Sequence, residues 1–125
     1  MAICYEIAYP DLVRRLALDP GLLLTISNDT WFGSSLGPEQ HLQIASFRAL
    51  ELGRPLLRAT NDGVTAVVDA RGVVVDRLPR FERGVLRAQV VPRTGRTPYA
   101  RFGDWIVLLL VGATLLAAQL AARRR

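Results

Sequence analysis

The residues that could attack a carbonyl or move a proton lie in two short runs of this 125-residue chain. Cys4 is the only cysteine. It stands where an apolar strand over 2–5 ends and a turn leads into a helix opened by Pro10. A nucleophile there projects beyond a sheet, near a helix N-terminus that favours thiolate. The alternative is a buried cysteine serving as a small hydrophobe, the commoner fate of a lone one. Glu6, two residues on, shares the side of Cys4 if the segment stays extended. It would orient a substrate amine or a neighbouring side chain, or be an ordinary surface carboxylate. His41 is the only histidine. A Cys4–His41 dyad is the obvious pairing from first principles; a half-buried polar residue in the first turn of a helix is the other reading. Trp31 and Phe32, on the polar loop 27–35, would wall an acyl or substrate site or pack beneath the loop. Arg48, Glu51, Arg54 and Arg58 read as ion pairs near a helix end, worth little individually. Asp29 and Asp62 read as local caps of turns.

Composition removes several classes of function. A single cysteine excludes an intrachain disulfide and a cysteine-based zinc site, and no metal or cofactor is expected. The chain has no lysine; every basic residue is arginine. The formal charge is +5, and three of the 16 basic residues form the terminal run Arg123, Arg124 and Arg125. A broad nucleic-acid surface would need basic residues clustered along a face, so no nucleic-acid partner is expected.

Positioning elements follow from periodicity. Leu12, Val13, Leu16 and Ala17 define one helical face, which Asp19-Pro20-Gly21 terminates. The continuous apolar run 22–26 is expected to be a strand covered on both faces. A second helix runs from Pro38 to Gly53, with Leu42, Ala45, Ala49 and Leu52 on one stripe. Strands are expected over 55–60, 64–69, 73–78 and 84–91, with turns at Asn61-Asp62-Gly63 and Ala70-Arg71-Gly72. The order is β-α-β-α and then several β, an α/β layered arrangement. Residues 92–104 read as a Pro-, Gly- and Arg-rich linker.

Residues 105–122 carry no charge. At about 1.5 Å per residue these span roughly 27 Å, close to the ~30 Å of a bilayer core. A buried core helix is the bland alternative, disfavoured because every side of the segment is apolar. Tyr99 and Trp105 flank one end as an interfacial belt would. The basic tail 123–125 flanks the other, which the positive-inside rule places in the cytoplasm. The preceding domain is then expected outside, in the periplasm if the cell has one. Export needs a targeting segment, and the chain opens on Met1-Ala-Ile-Cys. It is therefore expected to be the C-terminal piece of something longer.

The runs Ile3-Cys4-Tyr5-Glu6-Ile7, Ser27-Asn28-Asp29-Thr30-Trp31-Phe32-Gly33, Gly37-Pro38-Glu39-Gln40-His41 and Arg48-Ala49-Leu50-Glu51 resemble the apolipoprotein N-acyltransferase family. So do Arg54-Pro55-Leu56-Leu57-Arg58-Ala59-Thr60-Asn61-Asp62-Gly63-Val64-Thr65 and Thr97-Pro98-Tyr99-Ala100-Arg101-Phe102-Gly103-Asp104-Trp105. The resemblance runs in order over nearly the whole chain. It implies the C-terminal part of a nitrilase-like α-β-β-α sandwich over residues 1–91, the linker 92–104, and a last transmembrane helix over 105–122 in the bacterial inner membrane.

The resemblance also assigns roles. Such enzymes move an acyl chain from a phospholipid donor onto a cysteine as a thioester, then to the N-terminal amine of a lipidated apolipoprotein acceptor. Cys4 matches the nucleophile and Glu6 a supporting carboxylate. The backbone of Tyr5 lies near the oxyanion, and Trp31 borders the site. The family's glutamate base and lysine belong to an upstream half that this sequence lacks, so the chain alone is expected to be inactive. Two other functions share its features. One is a membrane-tethered carbon–nitrogen hydrolase (an amidase) with water as acceptor. The other is a non-catalytic, membrane-anchored remnant.

Overall fold

The computed structural model describes residues 1–17 and 19–123. Arg124 and Arg125 of the basic tail lie outside the described residues. Five strands form one sheet: β1 (Ala2–Ile3), β2 (Leu23–Asn28), β3 (Leu56–Asn61), β4 (Ala66–Val68) and β5 (Val74–Arg77), lying side by side in chain order. β1, β2 and β3 are parallel, whereas β4 and β5 return antiparallel. Parallel neighbours need long crossovers and antiparallel ones only tight turns. Helices α1 (Pro10–Leu16) and α2 (Gly37–Leu52) accordingly occupy the first two connections. Each carries a proline in its first turn, where a missing N–H costs nothing. The result is the mixed α/β class read from the element order.

The helices cover one face of the sheet. Leu42, Ala45, Ala49 and Leu52 form a buried stripe on α2, and Leu23, Leu56, Ala66 and Val68 of the sheet belong to the same core cluster. The two alanines leave no gap, so helix and sheet approach closely. Gly53 ends α2 in the left-handed region, φ +61°, a conformation that spares it the Cβ penalty.

Three local expectations need correction. The 22–26 run is covered on one face only: Leu23 and Thr25 are buried, but Leu24 and Ile26 are 38% and 42% exposed. On α1 only Val13 and Ala17 reach the core, while Leu12 and Leu16 stay outside, because the helix is short and touches the sheet along a narrow line. Residues 84–91 form no strand. They follow β5 in the chain and make no ladder pairing among the described residues.

Residues 92–104 lie against the body. Arg54 Nη2 donates to the Gly95 carbonyl at 2.6 Å, and the Arg93 amide donates to the Gly21 carbonyl at 2.8 Å. A short helix, α3 (Pro98–Phe102), is capped by Thr97, whose hydroxyl oxygen accepts the Ala100 N–H at 3.0 Å. Ala100 joins the core cluster. Helix α4 (Trp105–Arg123) then leaves the body. Its mean hydropathy is 2.2 and none of it is buried, so it is not a core helix. It is long and apolar enough to cross a membrane.

Leu56 is fully buried beneath α2. Leu56→Ala should destabilise the folded body by about 2–5 kcal/mol, the cost of a cavity in a packed core. Thermal or urea unfolding in detergent checks this. An unchanged midpoint would contradict the packing described.

Candidate active site

The three parallel strands all end on one side of the molecule, and ligand sites in open α/β sheets lie beyond the carboxyl ends of such strands. Cys4 follows directly on β1. Its φ is +52°, the left-handed region that a non-glycine residue rarely enters. The chain there turns out of the strand into a 3-10 turn, Cys4–Ala8. The side chain is lifted off the strand end and is partly exposed. It borders a cleft of about 500 Å³ lined by Ile3, Ile26, Ser27, Asn28, Ala59 and Thr60 among others. That cleft runs along the uncovered face of the sheet and is apolar at its floor. A larger hollow, about 840 Å³ between α2 and β5, is lined by neither Cys4 nor His41.

Glu6 departs from its expected place. The alternation argument needs an extended chain, and the 3-10 turn removes it. The Glu6 carboxylate instead folds back and accepts the Ile3 N–H at 2.8 Å. This is half of a capping box, and it clamps the elbow that carries Cys4. Tyr5 stands on the same turn with its ring exposed, 5.8 Å from the His41 ring. The first N–H groups of such a turn have no partner within it. Trp31 is 87% exposed on a second 3-10 turn, Thr30–Phe32, so it does not pack beneath the loop. Its loop is tied to the β3–β4 turn. Thr30 Oγ1 is 2.6 Å from Asn28 Oδ1 and 3.2 Å from Asp62 Oδ2. Arg80 Nη2 donates to the Gly33 carbonyl at 2.6 Å, and its Nε to the Asp62 carbonyl at 3.3 Å.

Beneath Cys4 lies a charged cluster that spacing alone did not reveal. Asp29, just past the end of β2, and Arg58 of β3 have fully buried side chains, and Arg58 Nη2 donates to Asp29 Oδ2 at 2.7 Å. His41 Nδ1 sits 3.0 Å from Asp29 Oδ1 and 3.1 Å from Arg58 Nη2. Ser27 Oγ donates to Asp29 Oδ1 at 2.6 Å and stands 3.7 Å from Cys4 Sγ. Asp29 is therefore no mere turn cap, and Arg58 is no surface ion pair. His41 makes no hydrogen bond to the Cys4 sulfur among the described residues; its Nδ1 faces Asp29, and its ring also meets the Cys4 backbone. The geometry does not form the Cys4–His41 dyad.

Periodicity held the missing signal. Leu23, Thr25 and Ser27 alternate onto the buried face of β2, and Arg58 follows Leu56 onto the buried face of β3. His41, Ala45, Arg48, Ala49 and Leu52 share one helical face. A polar residue on a core-facing stripe needs a partner, and these three elements supply one another's.

The cluster sets its own protonation. Burial would raise Asp29, but the Ser27 hydrogen bond, the Arg58 charge and His41 outweigh it and hold the carboxyl below its usual range. Burial lowers Arg58 while Asp29 opposes the shift, and an arginine still keeps its proton. Burial and the Arg58 charge together lower His41 against the pull of Asp29, leaving a neutral ring. Removing one member of such a pair costs about 3–5 kcal/mol, because the other charge stays buried. No group of metal ligands occurs among the described residues.

Comparison with known proteins agrees with this architecture. Residues 1–99 match the family model described as carbon-nitrogen hydrolase. The chain is 50% identical over 123 residues to the apolipoprotein N-acyltransferase of Pseudomonas paraeruginosa, covering 98% of this chain and 24% of that protein. It is 49% identical over 125 residues to the apolipoprotein N-acyltransferase of Photobacterium profundum, covering 99% and 24%. It thus spans about a quarter of the length of these curated relatives. The crystal structure of Saccharomyces cerevisiae Nit3, a member of branch 10 of the nitrilase superfamily, superposes with a TM-score of 0.50 at 23% identity, covering 65% of this chain and 33% of that one. That likeness is one of fold.

The neutral His41 gives a pH dependence with a definite sign. Its folded value lies below the ordinary 6.5, so the unfolded chain binds a proton that the folded one refuses. Its contribution to stability is whole above 6.5 and is lost as pH falls from 6.5 towards the folded value. His41→Asn should flatten the decline in stability between about pH 7 and 5. Unfolding midpoints across that range check it; parallel slopes in the two proteins would refute it.

Proposed function

Because this chain belongs to the carbon–nitrogen hydrolase family, we propose that it supplies the nucleophile-bearing part of a membrane acyltransferase. In this reading Cys4 takes an acyl chain from a phospholipid as a thioester and passes it to the N-terminal amine of a lipidated apolipoprotein. The observation that carries it is the Cys4 elbow, at φ +52° beyond the end of β1, on a chain that continues into the apolar helix α4. Helix α4 would keep the domain at the bilayer, where donor and acceptor both reside. A soluble amidase needs no such tether, so water as the acceptor is the weaker reading.

The roles follow from position. The Cys4 thiolate attacks the phospholipid ester carbonyl, the carbon–sulfur bond forms, and the lysophospholipid alkoxide leaves with a proton. The acceptor amine then attacks the thioester, the carbon–nitrogen bond forms, the carbon–sulfur bond breaks to release the thiolate, and the amine's proton passes to the general base. The Tyr5 N–H would face the tetrahedral oxyanion, where one donor is worth about 10²–10³-fold. Glu6 supports the elbow through the Ile3 amide. Trp31, exposed at the rim, would border the acyl chain or the acceptor. The glutamate base and the lysine cation would come from the upstream half that the family resemblance implies. The uncovered face around Leu24 and Ile26 is where the second sheet of the sandwich would pack.

Two measurements test this. With the upstream half of a curated relative co-expressed, Cys4 should carry a hydroxylamine-sensitive acyl adduct that Cys4→Ser abolishes; an undiminished adduct in Cys4→Ser would remove Cys4 from the mechanism. We further place the C-terminus in the cytoplasm of an inner membrane, because Trp105 and Arg123 mark opposite ends of α4. A reporter active only in the cytoplasm, fused after the last residue, should give signal. Signal only from a periplasmic reporter would reverse the topology.

A further inference from the structure

We infer that Ser27 is the positioning residue of the Cys4 sulfur, its one hydroxyl proton turning from the Asp29 carboxylate to the sulfur when the thiol ionises. The inference rests on Cys4 being the nucleophile and goes beyond it to how the sulfur is held.

The register puts the two residues together. Ile3 pairs with Ile26 across the parallel β1–β2 ladder, so the next residue on each strand, Cys4 and Ser27, meet where β1 ends. Strand alternation turns Ser27 to the buried face, and it is nearly inaccessible to solvent. Its oxygen is 2.6 Å from Asp29 Oδ1 and 3.7 Å from Cys4 Sγ. A hydroxyl has one proton and two lone pairs. While Cys4 is a thiol, the Ser27 O–H donates to Asp29 and its lone pair receives the S–H. Once Cys4 is a thiolate, two acceptors face each other unless the hydroxyl turns.

The surroundings permit that turn. Asp29 keeps the Arg58 guanidinium on Oδ2 at 2.7 Å, and His41 Nδ1, 3.0 Å from Oδ1, supplies an N–H in place of Ser27. The thiol proton passes to the general base, no bond to Ser27 is made or broken, and the hydroxyl only rotates. The charged and titratable groups around the sulfur are Tyr5 and Glu6 on its own turn, Asp29 past β2, His41 of α2 and Arg58 of β3. Glu6 is engaged on the Ile3 N–H, the Tyr5 ring is exposed, and Asp29, His41 and Arg58 form the cluster beneath Ser27. Ser27 is the member of this assembly whose hydroxyl reaches the sulfur.

The test uses the whole 125-residue chain in membranes, where its single cysteine makes alkylation report on Cys4 alone. The iodoacetamide reaction rate is measured against pH for the wild type, Ser27→Ala, Ser27→Thr and Ser27→Val. Loss of the hydroxyl in Ala and Val should raise the midpoint by about one to two pH units, the worth of a hydrogen bond to an anion. Ser27→Thr should stay near wild type. Thr and Val differ only in the hydroxyl and both suit a strand, so their comparison stands even if the alanine variant folds poorly. Identical midpoints for Thr and Val would overturn the inference. The hydroxylamine-sensitive adduct, measured with the upstream half of a curated relative co-expressed, reports separately on acyl transfer. Its absence alongside an intact Thr–Val difference would sink the transfer reading and still support the coupling of Ser27 to the sulfur.

Discussion

A carboxylate with no exposed surface cannot stand alone inside a protein, and Asp29 is such a group. Desolvating each ion costs several kcal/mol, repaid only when geometry is good and the remaining lone pairs are filled. Asp29 meets those terms by drawing in three elements at once: Ser27 from β2, Arg58 from β3 and His41 from α2. It also leans on Gly63, where a Cβ would collide with its carboxylate. The ends of two strands, the start of the long helix and the β3–β4 turn are thereby fastened at one point. Cys4 sits on top of that point. The apolar core holds the layers together; the ion cluster decides where the strand ends lie relative to one another.

The cation in this cluster is an arginine for a physical reason. Burial drives a lysine to shed its proton, which would leave Asp29 unpaired. A guanidinium keeps its charge under the same burial and offers several donors in one plane. Arg58 Nη2 donates to Asp29 Oδ2. The use of arginine throughout the chain is therefore compatible with a charge placed in the core.

The elements were largely legible, because periodicity depends on neighbours within a few residues. The stripe Leu42, Ala45, Ala49 and Leu52 faces the core as read, and the turns at Asn61-Asp62-Gly63 and 70–72 fall between strands. The position of Cys4 at the end of a strand was also legible, since Pro10 and the apolar run before it bracket the turn. What escaped depends on residues far apart in sequence. Asp29 and Arg58 each have a sufficient local explanation, and only the register of β2 on β3 brings them within hydrogen-bond distance. Glu6 escaped for a different reason: alternation assumes an extended chain, and the left-handed Cys4 breaks that assumption one residue too early. The failure of residues 84–91 to form a strand is of the same kind as the first. β-structure needs a partner, and propensity says nothing about whether one is present.

β1 is only two residues long and bonds to β2 along one side. Few ladder bonds must break for it to lift away, so its amide protons should exchange with solvent through small local openings rather than through global unfolding. The core strands β2 and β3, six residues each and paired over their full length, have no such route. The sulfur-bearing turn is thus the loosely moored end of a firmly moored sheet. Any segment pairing with the free edge of β1 would add hydrogen bonds where they are scarcest, and would set how often the thiol is presented to oxidants in the surrounding water.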